Sequence, residues 1–256
     1  MRTGRLALVS AVGLALSSCG SARPSATPTT AASATAIDVF AAASLTGAST
    51  AATTALAASA GVRATYNFGG SNTLVTQILQ GAPADVFASA DRANMGRLVA
   101  AGLVETPVTF ARNRLEIAVA PGNPKHIAGP ADLARRGVNV VMEAPGVPAG
   151  DYARALFGSE HLGVRPVSLE TDVKSALAKV TSGEADATVV YATDVAAAGA
   201  ATSGVPIAPA LQPDITYPIA VVKATRHRAA AEAFVRSAVS GAVQRDLEAA
   251  GFLPPR

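Results

Sequence analysis

Between Ile37 and Phe252 the chain alternates two kinds of hydrophobic pattern. Short, mostly apolar runs, such as Ile37–Ala42 and Ala187–Tyr191, have the length and composition of buried strands. Between them lie segments whose apolar residues recur at helical spacing, as Leu74 and Ile78 do, or Val173, Leu177 and Val180. In order, the pattern predicts strand Ile37–Ala42, helix Gly47–Ala60, strand Val62–Phe68, helix Ser71–Gln80, strand Ala84–Ser89 and a helix capped by Asp91. Next come strand Arg114–Ala120, a short helix near Pro130–Arg136, strand Val138–Met142, helix Asp151–Phe157, a brief strand Val167–Leu169 and helix Val173–Thr181. Strand Ala187–Tyr191, a short helix from Asp194, strand Tyr217–Val222 and a long helix Arg226–Ala249 complete the series. Such alternation builds an α/β fold, a parallel sheet with helices on both faces and right-handed crossovers. The rhythm runs twice, before and after residue 116, without an internal repeat. Two similar lobes with crossings near Phe110–Ile117 and Thr216–Ala220 explain this; one large sheet is the alternative.

Two strand–helix junctions carry candidate chemistry. The first strand stops at Ser44, just before a segment able to form a helix at Thr46. The second, Tyr66-Asn-Phe-Gly-Gly-Ser-Asn-Thr73, ends in two glycines, and Ser71 opens the next helix. A strand running into a helix start leaves unpaired N–H groups converging beside a hydroxyl, the outline of an anion site. Both serines also suit ordinary helix N-caps, and either junction alone leaves that reading open.

Half of the 256 residues are hydrophobic, mostly Ala and Val, so the core must be made of small, closely fitted side chains. Charge changes the picture little. Without Arg2 and Arg5, the 21 basic residues become 19 against 18 acidic ones, and no Lys/Arg run gives a footprint for nucleic acid. The first eighteen residues read as a targeting segment: Arg2 and Arg5, then an apolar stretch Leu6–Leu16 too short to span a bilayer. Its end, Leu16-Ser-Ser-Cys19, resembles the lipobox of bacterial lipoproteins, which implies lipidation of Cys19 and anchoring at the outer face of the cytoplasmic membrane. Residues 19–36, rich in Ser, Thr, Ala and Pro, read as a flexible tether.

Catalytic groups are scarce. Neither serine lies in a G-x-S-x-G elbow, and Gly69-Gly-Ser71 lacks the lysine of a nucleotide loop. His126, His161 and His227 fall in no motif and read as solvated surface groups. No cluster of Cys and His has zinc spacing, so neither a metal nor a cofactor is expected.

Six short stretches together carry a resemblance. Phe40-Ala-Ala-Ala-Ser-Leu-Thr46, Gly81-Ala-Pro-Ala-Asp-Val-Phe-Ala-Ser-Ala-Asp91, Val147-Pro-Ala-Gly150, Asp172-Val173, Val190-Tyr-Ala-Thr-Asp194 and Tyr217-Pro-Ile-Ala-Val221 follow the order and spacing of molybdate-binding proteins. These are the solute receptors of ABC-type molybdate importers. The resemblance implies a two-lobed periplasmic-binding-protein fold of the second type, with lobe 1 over 37–116 plus 218–256 and lobe 2 over 117–217. It implies a tetrahedral oxyanion, molybdate or tungstate, held in the cleft by Ser44, Ser71, Ala149, Val173 and Tyr191. It also implies a monomer that delivers its ligand to the permease subunits of an ABC transporter. One departure stands out: serines are frequent in that family where this chain has Gly70 and Asn72. The residues themselves agree with an anion site. Four of the five positions lie at or just before a predicted helix start, and none is Lys or Arg. Fixed neutral donors suit a receptor that must bind a dianion selectively and release it. The same fold with sulfate, phosphate or an organic anion is the first alternative. A serine hydrolase using Ser44 is the second, and a surface adhesin without a small ligand the third.

Overall fold

The computed structural model describes residues 34–48 and 61–255. The targeting segment, Cys19, most of the tether and residues 49–60 of the first expected helix lie outside the described residues. Strand β1 (Thr35–Ala42) has β2 (Val62–Gly69) parallel on one side and β3 (Val86–Ala88) parallel on the other. It begins two residues earlier than its apolar run, because Thr35 and Ala36 pair with Val62 and Arg63; the tether is shorter by that much. Val39 and Ala41 pack into one core while Phe40 packs into another. With both faces covered past Asp38, the strand reads as an apolar run from Val39 on.

The first sheet is completed by β4 (Val108–Asn113) and β10 (Ile215–Val221), in the order β2-β1-β3-β10-β4. The second sheet contains β5 (Leu115–Val119), β6 (Val140–Glu143), β7 (Ser168–Glu170), β8 (Ala187–Tyr191) and β9 (Ser203–Pro206), in the order β7-β6-β8-β5-β9. Two sheets replace the single large one. In both, four of the five strands run the same way, as the alternation predicts. In each, one strand shared with the crossing segments, β10 or β5, lies antiparallel to both its neighbours. A strand that returns from, or leaves for, the other sheet enters from the opposite end, and that reverses it.

The chain leaves the first sheet after Asn113 and enters the second at Leu115; it returns between Pro206 and Ile215. Strands β5 and β10 therefore stay whole in their sheets, whereas divisions at 116 and 217 cut through them. Gln212 ties the two crossings together. Its side-chain Oε1 accepts from the Leu115 N–H at 2.8 Å, and its Nε2 donates to the carbonyls of Leu115 at 2.8 Å and Ile207 at 3.2 Å.

The helices follow from their caps and apolar stripes. Helix α1 (Ser71–Leu79) buries Leu74, Val75 and Ile78, and α2 (Arg92–Ala100) is capped by Asp91, which accepts from the Asn94 N–H at 2.8 Å. Together they cover one face of the first sheet through Phe40, Phe87, Met95 and Leu98. Helix α3 (Pro148–Ser159) starts three residues before the expected Asp151, because Pro148 already has the helical φ and needs no N–H partner at that position. Helix α4 (Val173–Thr181) is capped by Asp172, and the short α5 (Ala192–Ala198) starts directly after Tyr191. The expected helix over Arg226–Ala249 is two, α6 (Arg228–Ser240) and α7 (Ala242–Ala249). The break falls at Gly241, where a Cβ would lie 2.7 Å from Ser237 Cα.

Candidate functional site

The strands that matter end on one side of the molecule. Ser44 follows β1 in a single 3-10 turn, Ala43–Leu45, and Ser71 follows β2. Ala149 follows β6, Val173 follows β7, and Tyr191 ends β8. All five sit at the carboxyl ends of parallel strands, the usual place for a ligand crevice in such sheets. The structure brings them together around one narrow cavity of about 10 Å³, which Gly70 and Asp172 also line. In this geometry the space admits about one water-sized group. A larger crevice of about 850 Å³ opens beside the crossings, lined by Arg112, Arg114 and Gln212 among others, and shares no residue with the strand-end cavity.

Neither serine is an N-cap. The capping positions are Ala42 and Gly70, and neither helix start has a side-chain cap. Ser44 Oγ instead lies 3.0 Å from the Tyr217 hydroxyl, and Ser71 Oγ accepts from the Ala90 N–H at 3.1 Å. A hydroxyl that accepts there keeps its own proton for donation. Ala149 lies in the first turn of α3, where backbone N–H groups have no intrahelical partner. Gly150 beside it must lack a side chain, since a Cβ would lie 2.6 Å from the Glu143 carbonyl oxygen. At α4 the Asp172 carboxylate takes the N–H groups of Lys174 and Ser175, both at 2.9 Å, and leaves that of Val173 aimed past the cap. The carboxylate is thus turned into its own helix.

The Tyr191 hydroxyl is buried beside the Tyr217 hydroxyl and makes no well-formed hydrogen bond among the described residues. Its ring meets Tyr217 edge-on, with centroids 5.6 Å apart. Burial, reinforced by neighbouring Tyr217, Tyr152 and Glu143, pushes the Tyr191 phenol well above its ordinary value, so it stays a donor. No Lys or Arg lines the cavity among the described residues. Behind it, Glu143 is fully buried with both carboxyl oxygens unpartnered, and burial raises it to about 8. Asp194 beside it is also buried and also raised by burial, and is held by Lys174 Nζ at 2.7 Å.

Three residues had gone unread in the sequence. Tyr217 supports Ser44 from β10, yet it reads there as one more apolar-strand aromatic. Asn94 of α2 donates from Nδ2 to the Gly146 carbonyl at 3.1 Å, linking the helix to the loop before Ala149. Glu143 ends an apolar strand, and a lone carboxylate there looks solvated. Of the histidines, His126 and His161 are exposed. His227 Nδ1 lies 3.3 Å from the buried Asp85, at the opposite end of the first sheet.

Two mixed sheets with a small donor-lined cavity at their strand ends define a class of extracytoplasmic receptor, and the chain belongs to it: residues 37–253 match the bacterial extracellular solute-binding protein family. Among its relatives, the molybdate-binding protein ModA of Mycobacterium tuberculosis H37Rv is 41% identical over 252 residues, 97% of either chain. Of solved structures, the periplasmic molybdate-binding protein of Azotobacter vinelandii superposes with a TM-score of 0.76 at 24% identity, covering 86% of this chain and all of that one. The sulfate-binding protein SubI of M. tuberculosis gives 0.73 at 25% identity, over 86% of this chain and 87% of its own.

Proposed function

We propose that the protein binds molybdate outside the cytoplasm, with tungstate as an equivalent ligand, and delivers it to the permease of an ABC transporter. The observation that carries this reading is the cavity itself. Two hydroxyls, two helix-start N–H groups and a buried phenol converge on one narrow space, with no Lys or Arg among its described lining residues. The 41% identity to a molybdate-binding protein along nearly the whole chain supports the choice of ligand. Ser44, Ser71, Ala149, Val173 and Tyr191 are the proposed contacts. Neutral donors neutralise a dianion only partly, which keeps release possible.

The protein is not an enzyme in this reading. Ser44 faces the Tyr217 phenol, which burial keeps protonated and which cannot serve as a base. Lipidation of Cys19 and a monomeric receptor complete the proposal. The likeness to a sulfate-binding structure favours one competing reading, the same cleft with a smaller oxyanion. A thermal-shift panel of oxyanions on the purified protein separates them. At a hundredfold excess over Kd, a ligand bound only by the folded state adds about 2.7 kcal/mol. For a chain of this size that moves the midpoint by about 5–11 °C. Molybdate and tungstate are expected to give such shifts, and sulfate and phosphate little. Sulfate winning the panel would leave the receptor and overturn the ligand; silence with every anion would overturn both.

A further inference from the structure

Gly70 stands immediately before Ser71, and its backbone, φ −58° and ψ 134°, is one that any residue adopts. Conformational freedom therefore does not explain a glycine there. Space does. A Cβ on Gly70 would lie 2.4 Å from the backbone oxygen of Thr171 and 2.7 Å from Asn72 Oδ1. The two obstacles differ in kind. The Asn72 oxygen is the end of a side chain with no hydrogen-bond partner to hold it, so it can swing aside. Thr171 belongs to the other sheet, and its carbonyl is pinned on both flanks. Glu170 before it accepts from the Ala144 N–H at 2.8 Å, and Asp172 after it caps α4. Thr171 is also two residues from Val173, as Gly70 is one from Ser71. The contact therefore joins the two halves of the cavity wall at their closest point.

We propose that Gly70 is the stop that sets the width of the cavity, and so the size of oxyanion whose donors on both sides can be reached together. This rests on the oxyanion reading of the same site. Any side chain at position 70 holds the Thr171 carbonyl off, from 2.4 Å to the 3.4 Å where ordinary contact begins. A hydrogen bond stretched by that difference leaves the useful range. The donors of the second sheet then no longer share a small ligand with the serines of the first. A smaller oxyanion loses more than a larger one, because it bridges less of the widened gap. On the other side of the mouth the Asn94–Gly146 hydrogen bond crosses the same gap and would open with it.

The test uses molybdate on the full-length protein, compared with Gly70→Ala, Asn72→Ala and the double variant, with affinity from calorimetry and dissociation rate from stopped flow. Gly70→Ala is expected to weaken molybdate about tenfold or more, chiefly through faster dissociation. The double variant is expected to stay equally weak relative to Asn72→Ala. The ligand-free melting midpoint of Gly70→Ala should fall only modestly, with one cooperative transition kept, since the backbone angles suit alanine and the cost is confined to the Thr171 contact and the Asn94–Gly146 bond. Gly70→Ala binding within twofold of the parent would overturn the proposal. So would recovery in the double variant, which would make Asn72 the obstacle instead of Thr171. If the parent ignores molybdate but binds another oxyanion, the ligand assignment falls, and the same comparison is then read with that anion. If the parent binds none, both fall.

Discussion

On the first sheet's side of the cavity each hydroxyl has a well-formed protein partner: Ser44 has Tyr217, and Ser71 has the Ala90 N–H. On the second sheet's side the Tyr191 hydroxyl makes no such bond and only neighbours the Tyr217 phenol, and the Asp172 cap passes over the Val173 N–H. The two halves thus differ in what they lose when altered. The first half is woven into the fold, so damage there reaches stability as well as binding. The second half holds a buried donor that contributes little to the fold, so under the proposed function its loss should fall mainly on binding.

The largest test of that contrast is Ser44→Asp, which sets a carboxylate against a dianion and should abolish molybdate binding in calorimetry. Retained binding would remove Ser44 from the site. Ser44→Ala is next. It should cost roughly 1.5–3 kcal/mol of binding for a donor to a charged acceptor, and about 0.5–1.5 kcal/mol of ligand-free stability, since the Tyr217 hydroxyl loses one of its partners and keeps Asn113 and Tyr191. Urea unfolding separates the two effects, and an unchanged stability would break the contrast. Tyr191→Phe should weaken binding to a similar degree while changing ligand-free stability little, because Tyr217 keeps Ser44 and Asn113 as partners. Destabilisation by that change would show that the phenol is structural.

A separate effect, on stability alone, concerns Glu143. Its carboxyl is raised to about 8 by burial, so the folded state holds a proton that the unfolded state gives up above its ordinary range near 4.5. The fold therefore loses stability as pH rises between those two values, and the loss levels off above about 8. Glu143→Gln removes the titration but keeps the shape. Its melting midpoint should match the parent near pH 5 and exceed it by roughly 10 °C at pH 9. Parallel pH profiles for the two proteins would show that Glu143 does not carry the dependence.

The sequence was most readable where local chemistry repeats at a strand end. Ser71 opening a helix and Asp172 capping one follow from residue type and position. The apolar runs of β1 and β8 announce themselves because both faces are covered. Strand β4, Val-Thr-Phe-Ala-Arg-Asn, mixes polar and apolar residues, and β9 contains both Gly and Pro, so neither shows a pattern. The reversed direction of β5 and β10 depends on which sheet each joins, a relation between distant segments. Gly70 was noticed only as a missing serine, a matter of donor number. Its meaning lies across the cleft at Thr171, about a hundred residues on, and no local pattern reports that.

Gln212 has a mechanical consequence. Its amide is stitched to both segments that pass between the sheets, through three backbone groups at Leu115 and Ile207. The stitch at Ile207 folds the returning passage on itself, and the two at Leu115 bind it to the outgoing one. The passages therefore cannot slide along each other or part without tearing both Leu115 stitches. A relative movement of the sheets that keeps those stitches has to turn about the seam they form, as a book opens about a sewn spine.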